Sequence, residues 1–145
     1  MGIVHHIDRQ KGVVLVVWDG QVTWANWYEH ARVLRADPDW PMIQRFLVDL
    51  QSVTDTSSIA DEEIDQIKTV FTSGQPVLVG KRSAIIASRE FRRASRFAKL
   101  VERFGTSTVV FNNLDTACLF LDIDFMETHK TLERLRTKLR SDAPI

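Results

Sequence analysis

The segment Phe46-Leu47-Val48-Asp49-Leu50 has the pattern of a buried β-strand, because apolar residues occupy both of its faces and only Asp49 is polar. Polar residues follow it, and the acid-rich run Ser57-Ser58-Ile59-Ala60-Asp61-Glu62-Glu63-Ile64 then has the composition of a helix start. Ser58 is the expected N-cap of a helix over residues 59–73. A buried strand that leads through a polar loop into a helix is typical of an α/β domain.

The composition is that of an ordinary globular protein. The chain has 145 residues, of which 44% are hydrophobic and 26% are charged, so we expect one compact domain with a sizeable core. The formal net charge is zero, which argues against attraction of the whole molecule to nucleic acid. Cys118 is the only cysteine, which excludes an intrachain disulfide and a cysteine-based zinc site and fits a reducing cytoplasm.

The motifs predict neither a catalytic site nor a bound metal or cofactor. The run from Gly74 to Ser83 has five residues between its glycines, whereas a phosphate-binding loop needs four. The histidines lack the i, i+4 spacing that metal sites on a helix use. The sequence shows no leader pattern and no apolar run of about 20 residues, so we expect a cytoplasmic protein that is not transmembrane.

Strands and helices alternate along the chain. A hairpin comes first, over Ile3–Ile7 and Val13–Trp18, and Thr23 is the expected N-cap of the helix that follows. Helices are predicted at Trp24–Arg35, Arg89–Phe104 and Leu114–Leu121, and further strands at Ser83–Ala87 and Ser107–Phe111. This order predicts a mixed, mostly parallel sheet of about five strands flanked by helices.

Three motifs resemble those of a known group of bacterial domains. Val48-Asp49-Leu50-Gln51-Ser52-Val53 followed by Asp55-Thr56-Ser57-Ser58 is similar to the central strand and helix entry of STAS domains, named for sulfate transporters and anti-sigma-factor antagonists. The run Ala36-Asp37-Pro38-Asp39 and the stretch from Phe111 to Ala117 resemble STAS-like proteins with a SpoIIAA fold. The resemblance implies a SpoIIAA-like α/β domain over residues 1–124, with residues 125–145 as a C-terminal helical extension.

The resemblance also gives Ser57 and Ser58 a regulatory interpretation. In anti-sigma-factor antagonists a serine at this helix entry is phosphorylated by a partner kinase. A phosphate would gain from the helix dipole, but the acids of the same turn would repel it. The simpler interpretation is that Ser58 is an ordinary N-cap whose neighbouring acids complement the dipole.

A basic stripe is predicted on the helix that starts near Arg89. Its four cations fall at i, i+4, i+7 and i+11 and therefore share one face. They are Arg92, Arg96, Lys99 and Arg103. This face would bind an acidic protein partner or anionic lipid, although a solvated surface explains the same pattern.

A narrow apolar seam runs along the C-terminal helix at alternating spacings of three and four. Its members are Phe125, Thr128, Leu132, Leu135 and Leu139. The seam is too short for a stable free coiled coil, so the helix packs either on its own domain or on a second subunit. We favour a homodimer from the sequence.

The aromatic residues near the N-terminus suggest an alternative function. Trp18, Trp24, Trp27, Tyr28 and Trp40 could line an apolar cavity between the first helix and the sheet, although core packing explains them as well. The sequence as a whole favours a non-enzymatic regulatory or protein-interaction domain that binds a protein partner or an anionic surface. The alternative is a module that binds a small hydrophobic ligand or a lipid.

Overall fold

The computed structural model describes residues 2–57, 59–60, 62–63, 80–102 and 106–141. Within them lie five strands, namely β1 Ile3–Asp8, β2 Val13–Gln21, β3 Arg45–Asp55, β4 Arg82–Ile86 and β5 Ser107–Phe111. The same residues contain four α-helices, namely α1 Trp24–Ala36, α2 Phe91–Glu102, α3 Leu114–Leu121 and α4 Phe125–Ser141. A short 3-10 helix spans Trp40–Met42.

The strands form one sheet in the order β1-β2-β3-β4-β5. β1 is antiparallel to β2, and each later strand is parallel to its neighbour, which confirms the predicted mixed, mostly parallel sheet. β3 is longer than the predicted five-residue core because its pairing with β2 continues through register shifts as far as Asp55. Gly20 adopts a φ of +68° at one of these shifts, which a residue with a side chain adopts only with strain.

Helix α1 begins where the sequence predicts. The Thr23 hydroxyl accepts a hydrogen bond from the backbone N–H of Asn26 at 3.2 Å, and the Asn26 side chain accepts one from the Thr23 N–H at 3.1 Å. This reciprocal cap satisfies two N–H groups that have no partner inside the helix. The helix ends at Ala36, just before Asp37 and Pro38.

The two faces of the sheet carry separate hydrophobic clusters. Because the parallel strands follow one another in chain order, right-handed crossovers place α1 and α2 on the same face. The α1 face is built from Val14, Val16, Trp27, Leu34, Trp40, Phe46 and Val101, among others. The opposite face packs against α3 and α4 and includes Leu15, Val17, Leu47, Ile86, Leu121 and Leu132.

Helix α4 contributes to the second cluster. Leu132 is 1% exposed, Leu135 is 5% exposed, and Leu139 packs against the same cluster. The sheet of the same chain covers Leu132 and Leu135, so α4 packs on its own domain, which is one of the two alternatives that the sequence leaves open. The homodimer stays a prediction. Phe125, the first residue of the seam, is exposed, in contrast to Leu132 and Leu135.

The loop after β3 differs from the expected helix start. Ile59 and Ala60 are not helical, whereas Glu62 and Glu63 are. Ile59 is buried in the α1-side cluster, and the Ala60 N–H donates to the Glu63 carboxylate at 2.9 Å. The predicted cap Ser58 and the helix positions 61 and 64–73 lie outside the described residues.

Candidate functional site

A cavity of about 170 Å³ lies between α1, α2 and the face of the sheet that these helices cover. Alternate residues of neighbouring strands point into it because side chains of a strand alternate between the two faces. β2 contributes Val16 and Trp18, and β4 contributes Ser83 and Ile85. The alternation of side chains that predicts the strands therefore also determines which residues form the floor of the cavity.

Aromatic side chains form much of the cavity wall. Among the described residues, those that line it are Trp18, Trp27, Trp40, Phe46 and Phe97. Trp27 stacks on Trp24 with ring centroids 5.3 Å apart, and Trp40 packs against Phe46 at 5.2 Å. These contacts hold the rings in place, so the wall is apolar and rigid. Of the aromatic residues that the sequence proposed for a cavity, Trp24 and Tyr28 do not line it.

A polar cluster closes the end of the cavity near the loop after β3. Arg93 Nη1 donates to the carbonyl oxygen of Thr56 at 2.7 Å and to its hydroxyl at 2.6 Å. Arg93 Nη2 donates to the carbonyl oxygen of Ile59. The Thr56 hydroxyl donates in turn to the Glu90 carboxylate at 2.8 Å. Arg93 is therefore committed to holding the loop against α2, a role that no local sequence pattern indicates.

Two histidines from distant parts of the chain meet at the cavity. His5 Nδ1 on β1 lies 3.0 Å from His30 Nε2 on α1, and His30 lines the cavity. Burial lowers the pKa of His30 to about 4, and the neighbouring His5 adds to the effect. The pair is therefore neutral at pH 7. No group of three or more metal-ligating side chains occurs in the part of the chain that the structure describes.

Lys81 is an unexpected buried cation beside the cavity wall. The residue is 6% exposed, and its Nζ lies 5.0 Å from the ring centroid of Trp40 and 5.6 Å from that of Phe46. Its Nζ donates a hydrogen bond to the Trp40 carbonyl oxygen at 3.4 Å. Burial lowers the pKa of the ammonium because the charged form loses hydration. The sequence placed Lys81 in a loop and gave no sign of its burial.

Of the two serine candidates, Ser57 is described by the structure and does not line the cavity. Ser57 is exposed, and its backbone N–H donates to the Asp55 carboxylate at 2.7 Å. Hydrogen bonds from the Ser57 hydroxyl and N–H lower the pKa of Asp55. Ser58 lies outside the described residues. Phosphorylation of either serine stays a prediction.

The basic stripe lies on the outer face of α2. Arg92, Arg96 and Lys99 are exposed, whereas Ala94, Ala98 and Val101 are buried on the opposite side of the helix. The fourth member of the stripe, Arg103, lies outside the described residues. The stripe and the cavity are therefore on different faces of α2.

A second, more polar depression of about 300 Å³ lies between the first hairpin and the start of α4. Lys11 bridges it by an ion pair with Glu127 at 2.7 Å. Its lining mixes acids with the bases Lys11 and Lys130. This mixture favours no single class of ligand, so the aromatic cavity is the stronger candidate site.

Comparison with known proteins supports the fold. No protein family model matches the chain, and no curated protein matches it. The chain is similar to the crystal structure of an uncharacterized protein of the DUF3478 family, with a SpoIIAA-like fold, from Shewanella loihica PV-4. The two share 19% sequence identity with a TM-score of 0.53, and the match covers 83% of this chain and 93% of that one. This likeness confirms the predicted SpoIIAA-like fold and says nothing about activity. Among the described residues, no helix has the length and apolar character needed to cross a bilayer.

Proposed function

We propose that this chain, with its SpoIIAA-like fold, is a non-enzymatic binding module that holds a small apolar molecule in the cavity between α1, α2 and the sheet. The observation that carries the proposal is the aromatic wall around a space of about 170 Å³. Small-molecule sites are typically concave and mostly apolar, with a few polar groups that orient the ligand.

The cost of the cavity supports this function. Protein interiors are normally packed as densely as organic crystals, so an empty space forfeits contacts between side chains. A ligand that fills the space would recover much of the loss.

The volume limits the size of the ligand. An engineered apolar cavity of about 150 Å³ binds benzene, whereas drug-sized ligands need about 300 to 1,000 Å³. The site therefore suits a molecule with a single ring or a short chain, and a whole phospholipid is too large for it.

Tryptophan fluorescence gives a direct test, because three of the four tryptophans line the cavity. Titration with toluene or phenol should change the emission saturably and raise the melting temperature. A ligand at 100 times its Kd adds about 2.7 kcal/mol to the free energy of unfolding. A flat response to small apolar molecules in both measurements would refute the proposal.

A matched pair of alanine substitutions locates the binding site. Ala31 on α1 is buried and lines the cavity, whereas Ala36 on the same helix is exposed. Ala31→Leu places extra carbon atoms in the space and should abolish binding. Ala36→Leu should leave binding unchanged. Equal binding by both variants would place the ligand elsewhere.

A second candidate function is recognition of an anionic surface by the basic stripe on α2. The supporting observation is that Arg92 and Lys99 are exposed and form no ion pair among the described residues. Their shared face presents two positive charges, about two helical turns apart, to an acidic protein or lipid surface.

Sedimentation with vesicles of mixed neutral and anionic phospholipid tests the second candidate. Arg92→Glu with Lys99→Glu should abolish sedimentation, and raised salt should weaken it in the natural chain. Lys130→Glu with Arg134→Glu, two exposed residues of α4, makes the same change in net charge and should have little effect. Absence of binding at low salt removes the lipid version of this proposal.

A further inference from the structure

Thr108 gives the cavity a hydrogen-bonding group that is not used by the protein. The residue lies on β5, beside Ser83 of β4 in the register of the sheet, and both line the cavity. The Thr108 Oγ1 is buried and has no hydrogen-bond partner in the part of the chain that the structure describes. Buried polar groups are almost always paired, because an unpaired one loses its hydration without replacement.

Four of the other polar side chains that line the cavity are engaged within the protein. The Thr56 hydroxyl is shared between Arg93 and Glu90, and the guanidinium of Arg93 also binds the carbonyl oxygen of Ile59. His30 is paired with His5. The buried hydroxyl of Thr108 is therefore a vacant polar group that the described lining offers to a ligand, and Ser83 lies beside it on β4.

The charges around the cavity disfavour an ionised ligand. Arg93 is committed to the loop after β3, and burial keeps His30 uncharged at pH 7 by lowering its pKa to about 4. Lys81 is not among the residues that line the cavity. An unpaired buried carboxylate would pay a desolvation cost of several kcal/mol that these groups do not offset.

We infer that the ligand is a neutral single-ring molecule with one hydroxyl or carbonyl group, and that the Thr108 hydroxyl determines specificity by hydrogen bonding to that group. The inference rests on the proposed function of the cavity. The ring would occupy the space between the aromatic side chains, and the polar group would lie against β5. A threonine hydroxyl both donates and accepts, so it suits either an alcohol or a carbonyl.

The ligands toluene and phenol provide a matched test because they have nearly the same shape and differ in a methyl and a hydroxyl group. Thr108→Val removes the hydroxyl and keeps the shape of the side chain. The variant should raise the Kd of phenol by roughly 5- to 30-fold and change that of toluene by less than about 2-fold. Thr54→Val, which alters an exposed strand threonine outside the cavity, should change neither value.

Stability of the unliganded chain provides a second readout. Because the Thr108 hydroxyl has no partner among the described residues, Thr108→Val should leave the melting temperature unchanged or raise it. A fall of several degrees would show that the hydroxyl is bonded within the protein and would overturn the inference.

The outcomes separate this inference from the proposed function. If neither toluene nor phenol binds the natural chain, the cavity is not a ligand site and both proposals fail. If both bind and Thr108→Val weakens them equally or not at all, the function stands and the role of Thr108 is refuted. Tighter binding of benzoate than of phenol at pH 7.5 would refute the neutral ligand class. The inference predicts that the Kd of phenol is at least about 10-fold lower than that of benzoate.

Discussion

Arg136 on α4 forms an ion pair with Asp49 on β3, and the side chain of Asp49 is completely buried. The Nε of Arg136 also donates to the Ser52 hydroxyl at 2.7 Å, and the Asp49 carboxylate accepts the backbone N–H of Gln51 at 2.9 Å. These contacts tie the C-terminal helix to the central strand. A buried carboxylate is tolerated because its charge is paired and its oxygens are hydrogen bonded.

Removal of Arg136 alone should therefore be strongly destabilising. Arg136→Leu leaves the Asp49 charge buried without its partner, and we expect a loss of about 3 to 5 kcal/mol in the free energy of unfolding. Replacing both residues, with Asp49→Leu and Arg136→Leu, should recover most of that loss because no unpaired charge is left. Urea denaturation of the two single variants and the double variant measures the coupling.

Arg134 offers a matched control on the same helix, since it is exposed. Arg134→Leu should change the stability by no more than about 0.5 kcal/mol. If Arg136→Leu behaved in the same way, the ion pair would not anchor α4.

Leu132 should stabilise the protein by packing in the core of a single chain. The side chain is 1% exposed, so Leu132→Ala should cost about 2 to 5 kcal/mol, whereas Met126→Ala, at a position that is 57% exposed, should cost less than about 0.5 kcal/mol. Thermal or chemical denaturation gives both values.

Light scattering on the same variants tests the dimer seam separately. We expect Leu132→Ala to leave the molecular mass of the folded protein unchanged. A halved mass at unchanged stability would show that the leucine seam is a dimer interface.

The His5–His30 pair should make stability depend on pH. The pKa of His30 is about 4 in the folded chain and about 6.5 when unfolded, so between these values the unfolded state binds the extra proton. The free energy of unfolding should therefore fall as the pH is lowered from 6.5 to 4, by at most about 3 kcal/mol at 1.4 kcal/mol per pKa unit. Burial lowers the pKa of His5 in the same direction.

Substitution of His30 identifies the source of this dependence. Melting temperatures of His30→Phe, measured from pH 7 to pH 4, should fall less steeply than those of the natural chain. His129→Gln removes an exposed histidine and should retain the original slope. An unchanged slope in His30→Phe would show that other groups cause the pH dependence.

Local patterns were sufficient to predict the fold. The apolar run around Leu47 predicts a central strand, and Thr23 predicts the start of α1, because strand burial and helix capping depend on residues close in sequence. The helix after β3 begins later than Ser58 and the following acids predict, because Ile59 is buried in the core.

Contacts between distant parts of the chain, in the candidate site and elsewhere, could not be predicted in the same way. Arg93 binds Thr56 across 37 positions and Arg136 binds Asp49 across 87, so no local spacing relates the partners. Asp49 did carry a signal, since a single acid within an apolar strand requires a buried partner. The concentration of tryptophans near the N-terminus suggests a cavity. Whether a space is left empty depends on how side chains from distant parts of the chain pack together, and no local pattern shows that.

A crystal of the full chain pressurised with xenon tests the central claim most directly, because xenon enters apolar cavities that are empty and accessible. The account predicts a xenon peak within the cavity, in contact with Trp27, Phe46 and Phe97, and no such peak in Ala31→Leu. A natural chain in which side chains fill that space and no xenon binds would contradict it.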